Sequence, residues 1–261
     1  MISLQNFFLQ LIRLADGGPK YAETDLSQFI VEPWNAASAA LFVVMVAYWA
    51  VKLHRSRKRN SFLRYSMPIL AIGGVGGTLY HAFRSSHYYL IMDYLPIMVL
   101  CLSAGLYFTY KVVGRKRYLS IATVGAVLAQ YIAFKYSPPT WATNVSYALL
   151  ASYILVPVLF FMWKTQFRYY YYVGAALLSF AAALFCRIAD FWQEPLLEFG
   201  THWLWHTFGA LACHLMFTYL FCVNQETEIP DEDDEEEMPH AADSPNSTQH
   251  SQQQGKQQGN L

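Results

Sequence analysis

Seven stretches of mostly apolar residues recur along the chain, near 33–53, 62–84, 89–110, 117–135, 141–163, 169–188 and 201–222. Each is about 20 residues long, enough for a helix to cross a hydrocarbon core of roughly 30 Å. The chain therefore reads as an all-α membrane protein, a seven-transmembrane-helix bundle. Composition agrees: 55% of its 261 residues are hydrophobic and 14% charged, against about 25% charged in an ordinary soluble domain.

Three regions follow. Residues 1–32 combine a short amphipathic helix over Met1–Ala15, with Leu4, Phe7, Phe8, Leu11 and Ile12 at helical spacing, and an acidic loop from Asp16 to Glu32. Residues 33–222 form the bundle. Residues 223–261, with the acidic run Asp231–Glu237 and a Gln-, Ser- and Gly-rich end, are expected to be a disordered tail. Basic residues collect in alternate loops: Lys52 to Arg64 in the first, Lys111 to Arg117 in the third, Lys164 and Arg168 in the fifth. The opposite loops are nearly bare, with Arg84, Lys135 and, at a helix end, Arg187. The positive-inside rule then places the N-terminus outside and the C-terminal tail in the cytoplasm. The four cysteines lie in apolar segments without a CxxC spacing and read as small buried residues.

Ionisable residues inside a span are costly, so function is their default reading. His81 closes the second span, Asp93 opens the third, and His202 and His206 open the seventh. In the expected topology all four lie toward the outer face. His202 and His206, four apart, stack on one side of a helix, where both rings can address one ion. Three histidines leave a tetrahedral zinc one open position, the arrangement of hydrolytic zinc sites, and such an ion acidifies water to a pKa of about 7. Asp93 is placed to take or orient that proton. The competing reading is a hydrogen-bonded polar cluster that holds the bundle together. Glu23, Asp25 and Glu32, with loop carbonyls, offer the oxygen ligands calcium prefers, or else cap the first helix. Asp190 either pairs with Arg187 or supports the metal ligands from behind. His87 reads as a surface histidine and His214 as a packed one. Gly73, Gly74, Gly76 and Gly77 read as points of close helix approach. Trp203 and Trp205 fit an interfacial belt or a substrate groove. Nothing points to nucleotide or nucleic-acid binding.

Three motifs together resemble the alkaline ceramidase family, part of a seven-helix superfamily that includes the adiponectin and progestin receptors. Glu32-Pro33-Trp34-Asn35-Ala36-Ala37-Ser38 is similar to the family's Glu-x-x-Asn-x-x-Ser. Gly74 to His81, followed by Asp93-Tyr94-Leu95-Pro96, is similar to its Gly-x-Gly-Ser-x-x-aromatic-His and Asp-x-Leu-Pro. His202-Trp203-Leu204-Trp205-His206 is similar to its His-x-x-x-His. The resemblance implies a catalytic zinc on His81, His202 and His206, with Asp93 assisting water. It also implies cleavage of the ceramide amide to a sphingoid base and a fatty acid, and a calcium site matched by Glu23, Asp25, Glu32 and Asn35. Where the family has a serine four residues before the zinc histidine, this chain has Gly77. Thr78 or Ser38 is expected to stand in; without either, activity is low or turned to another lipid. A receptor-like protein with a structural zinc, and a hydrolase of ester lipids, are the alternatives. The membrane is a bacterial inner membrane or that of the ER or Golgi.

Overall fold

The computed structural model describes residues 14–226 except 193 and 195. The expected N-terminal amphipathic helix falls almost wholly outside the described residues; Leu14 and Ala15, which are described, are not helical. The acidic tail lies outside them too. The chain divides after Ile229 into two units, and the second, Pro230–Leu261, is among the residues not described.

Among the described residues eight helices follow in order: α1 (Pro33–Ala39), α2 (Leu41–Arg55), α3 (Ser61–Phe83), α4 (His87–Val113), α5 (Lys116–Tyr136), α6 (Pro139–Lys164), α7 (Tyr170–Ala189) and α8 (His202–Glu226). Helix α1 starts with Pro33 in its first turn, where the missing N–H is no loss. It passes into α2 at Ala40, which keeps helical angles (φ −63°, ψ −18°), so the two act as one rod. Asn60 caps α3 by accepting from the Leu63 N–H, and Ser86 caps α4 by accepting from the Tyr88 N–H. Gly114, at φ 66°, ends α4 in the left-handed region.

Six helical stretches are long and apolar enough to cross a membrane: Pro33–Arg55, His87–Val113, Lys116–Tyr136, Trp141–Lys164, Tyr170–Ala189 and His202–Glu226. Their outward faces are apolar as well, with Ile121, Val124, Trp163 and Leu178 among many large exposed hydrophobic side chains. A water-soluble monomer rarely exposes that much contiguous apolar surface; the chain is a multi-pass membrane protein. The expected second span, near 62–84, corresponds to α3. Helix α3, 23 residues long, is not among these six. Much of it is buried against its neighbours, Gly73, Gly74, Gly76, Gly77, Tyr80 and His81 included. The expected boundary of the tail at 223 also moves: α8 continues to Glu226, since Val223 is fully buried and extends the packed core.

Apolar and polar packing separate by height in the bundle. Trp49 and Leu53 from the end of α2, Leu63 and Met67 from the start of α3, Phe108, Phe161, Tyr219 and Val223 form the core at one end. The opposite end gathers the start of α1, the end of α3, the start of α4, the end of α7 and the start of α8. The α3–α4 crossing sets the spacing there. A Cβ on Gly76 would stand 2.4 Å from Met92 Cβ and 2.6 Å from the Met92 backbone, so only glycine permits this approach. The next residue on each helix is then Gly77 facing Asp93.

Candidate metal centre

His81, His202 and His206 are all buried, and each offers a ring nitrogen within 4.8 Å of the others. Their rings surround a common point, with centroids 4.8–5.3 Å apart. Glu32 Oε2 lies 2.5 Å from His81 Nδ1. An ionised carboxylate only accepts, so Nδ1 carries the proton and Nε2 keeps its lone pair. That Nε2 is buried and has no hydrogen-bond partner among the described residues. His202 Nε2 and His206 Nε2 face each other at 3.2 Å. Two nitrogens each about 2.0–2.1 Å from one tetrahedral ion are about 3.3 Å apart, so this pair is already at ligand spacing. A carboxylate behind one ligand and three converging nitrogens are the donor set that zinc takes.

The charge of the surroundings agrees. Asp16, Glu32, Asp93 and Asp190 lie in and around the cluster against only two guanidinium groups, Arg84 and Arg187. Four carboxylates against two cations leave an excess of two negative charges when all are ionised. A divalent ion among the histidines offsets that excess.

Asp93 is held by the α3–α4 crossing. Its Oδ1 occupies the notch at Gly77, where an added Cβ would stand 2.5 Å away. The space that a side chain at position 77 would take is thus filled by the aspartate itself. The two residues expected to replace the serine are engaged elsewhere. Thr78 Oγ1 donates to the Gly74 carbonyl at 2.7 Å, and Ser38 Oγ donates to the Asn35 carbonyl at 3.0 Å, each within its own helix turn.

Asp190 supports the site from behind. Its Oδ1 accepts from the Thr201 and His202 N–H groups at 2.6 and 2.9 Å, and its Oδ2 from the Ala22 N–H at 3.3 Å. It caps the helix that starts with a candidate ligand. Gly200, at φ 69°, makes room, since a Cβ there would meet Asp190 Oδ1 at 2.3 Å. Burial pushes the Asp190 carboxyl up, and the three N–H donors pull it back only in part. The alternative pairing of Asp190 with Arg187 is not formed: Arg187 Nε donates to Asn144 Oδ1 instead.

The four residues expected to bind calcium all take part in hydrogen bonds within the chain, and Asn35 links Glu23 and Glu32. Glu23 caps α1, accepting from the Trp34 N–H at 2.5 Å and the Asn35 N–H at 2.9 Å. Asp25 is exposed and folds onto Ser27, whose O–H and N–H hold its carboxyl below the ordinary range. Glu32 accepts from Thr24, Asn35, His81 and Arg84, which fills its four acceptor positions. Burial pushes its carboxyl up, but His81 and Arg84 outweigh burial and hold it below the ordinary range. Asn35 turns its amide N–H to Glu32. The cation in this region is Arg84, which bonds Glu32, both oxygens of Asp16 and the Pro19 carbonyl.

Arg84 clamps the loop of residues 14–32 over the bundle end, and the loop brings in Tyr21, which sequence reasoning passed over. The Tyr21 ring stacks on His202 with centroids 3.8 Å apart and lies 5.5 Å from His81. Burial pushes its hydroxyl up. Arg187 and Arg84 were also missed as site residues; their only signal was standing in loops and helix ends otherwise nearly bare of cations. His87 meets the Asp16 carbonyl, and His214 accepts from Trp49 Nε1 far along α8; neither joins the cluster. No protein-family model matches the chain, and no curated protein matches it.

Proposed function

We propose that this protein is a zinc-dependent intramembrane amidohydrolase acting on ceramide-like lipids, in a seven-span bundle with its N-terminus outside. The convergence of three buried histidine nitrogens, one backed by Glu32, beside the Asp93 carboxylate carries the reading. The motif resemblance to alkaline ceramidases supplies the substrate class. His81, His202 and His206 would hold the ion. Zinc bound there supplies Lewis acidity, polarising a carbonyl and acidifying water. Asp93 accepts a proton on its carboxylate and returns it to the leaving amine. Glu32 keeps the His81 proton on Nδ1 and so presents Nε2. Tyr21, stacked on His202, shields the cluster from bulk water. An amphipathic lipid enters from the bilayer and brings its amide to this end of the bundle.

One observation favours a second reading, a receptor-like protein with a structural zinc: neither Thr78 nor Ser38 has a free hydroxyl proton for a developing oxyanion. Product analysis separates the readings. Purified protein incubated with ceramide is expected to release free long-chain amine. Asp93→Asn should lower that rate by about 10²–10⁴-fold, the weight of a general acid–base, while keeping its metal. Release of fatty acid from an ester lipid without amine release points to an esterase. Metal without turnover of either lipid supports the receptor-like reading.

A further inference from the structure

Two arginines are buried in the site end of the bundle, and they are treated differently. Arg84, 6% exposed, has two carboxylates in contact. Arg187, 8% exposed, has no carboxylate of the described residues within ion-pair distance. Its Nε donates to Asn144 Oδ1 at 3.2 Å, and the group also reaches toward the Tyr21 hydroxyl. Its Cζ lies over the Tyr147 ring, 5.3 Å from the centroid, and over the Trp205 ring, at 5.4 Å. Asp93 acts on the guanidinium through space without reaching ion-pair distance, and a buried cation with no carboxylate in contact is costly. Cation–π contacts offset part of that cost, but they place no carboxylate on the N–H groups of the fork.

The group is held in place: Asn144 on α6 accepts from Nε, and Tyr147 on α6 and Trp205 on α8 flank the guanidinium. The group belongs to the metal-centre end: Tyr21 bridges it to His202, and Trp205 directly precedes His206. A guanidinium held this way is built to receive a carboxylate through two parallel hydrogen bonds. The aromatic walls, including Phe180 beside Trp205, suit an apolar chain attached to it.

We propose that Arg187 is a carboxylate-recognition residue, which receives the carboxylate of a long-chain fatty acid lodged beside the histidine cluster. The choice of a fatty acid rests on the proposed amide hydrolysis, which releases one; the recognition of a carboxylate rests on Arg187 itself. Arg187 thereby holds the acid product, or an acid taken from the bilayer, at the metal-centre end.

The test compares oleate with oleyl alcohol, equal in chain and different in headgroup, by tryptophan fluorescence of the full chain in detergent. The wild type should prefer the acid by roughly tenfold or more, the weight of one hydrogen bond to a charged partner. Arg187→Ala should bind both alike, with Arg187→Lys intermediate. Asn144→Asp supplies an internal carboxylate to the same guanidinium and should abolish the preference while keeping the fold; it decides the matter if Arg187→Ala does not fold. Any preference due to a metal is common to wild type and variants, so the change on substitution reports Arg187 alone. Equal affinities in the wild type, or an undiminished preference in either folded variant, overturns the proposal. Because binding is read without turnover, acid preference without hydrolysis leaves Arg187 standing and removes the amidohydrolase. Hydrolysis without acid preference does the reverse.

Discussion

Single residues decide how the histidines present themselves. Glu32 fixes the His81 tautomer and is itself saturated by four donors. Glu32→Gln keeps the shape but loses the charge, and is expected to weaken metal retention against a chelator by about 10–100-fold. The same residue carries an acid limit. A carboxyl held below its ordinary value of 4.5 stabilises the folded state at pH above that value and loses the contribution as pH falls through the depressed one. Thermal melts of the wild type should therefore fall more steeply than those of Glu32→Gln once pH drops below the ordinary value. At Gly77 the prediction is steric. Gly77→Ala puts a methyl where Asp93 Oδ1 now rests, so ceramide turnover should drop at least tenfold by displacement of the acid–base group, with metal content unchanged. Unaltered turnover would place the working position of Asp93 elsewhere. His81, Asp93, His202 and His206 were legible in the sequence because ionisable groups stand out against apolar runs. Arg84 and Arg187 were not, because a cation at a helix end reads equally well as a topology signal.

Among the elements, the start of α8 matters most, because it carries both His202 and His206. Asp190 reaches it across the α7–α8 connection and accepts two of its first N–H groups. Asp190→Ala leaves those donors without an acceptor and should cost about 1–2 kcal/mol of stability, measurable as a lower melting temperature together with weaker metal retention. Asp190→Asn keeps an accepting oxygen and should recover most of both; failure of that rescue would mean that the charge, not the cap, matters. The apolar periodicity placed every long helix, but not the loop of residues 14–32. That loop's path depends on Asp16 meeting Arg84, which is 68 residues away, and no local pattern encodes such a pairing. Its acids were therefore read as ligands for calcium, whereas the clamping charge comes from within the chain.

At the scale of the whole molecule, packing and chemistry are divided along the bundle. Aromatic and aliphatic layers lock the end around Trp49, Phe161 and Tyr219, and the opposite end holds the buried charges. The rigid end keeps five helix termini in register at the other, which lets side chains from α3, α4 and α8 meet with no further support than Glu32, Asp190 and Arg84. Helix α3 links fold and site: the glycine at its crossing with α4 that permits the close approach to Met92 also brings Asp93 to Gly77. The account stands or falls on whether the three histidines hold an ion. The direct measurement is metal content per chain, with the X-ray absorption spectrum of the bound metal, for the wild type and a His202→Ala/His206→Ala variant in detergent. About one zinc per chain with three histidine nitrogens at about 2.0–2.1 Å, lost in a variant that stays helical, is the expected result. A metal-free wild type after purification with zinc supplied, or a variant that keeps its zinc, would make the cluster a polar packing contact and remove the basis for the proposed chemistry.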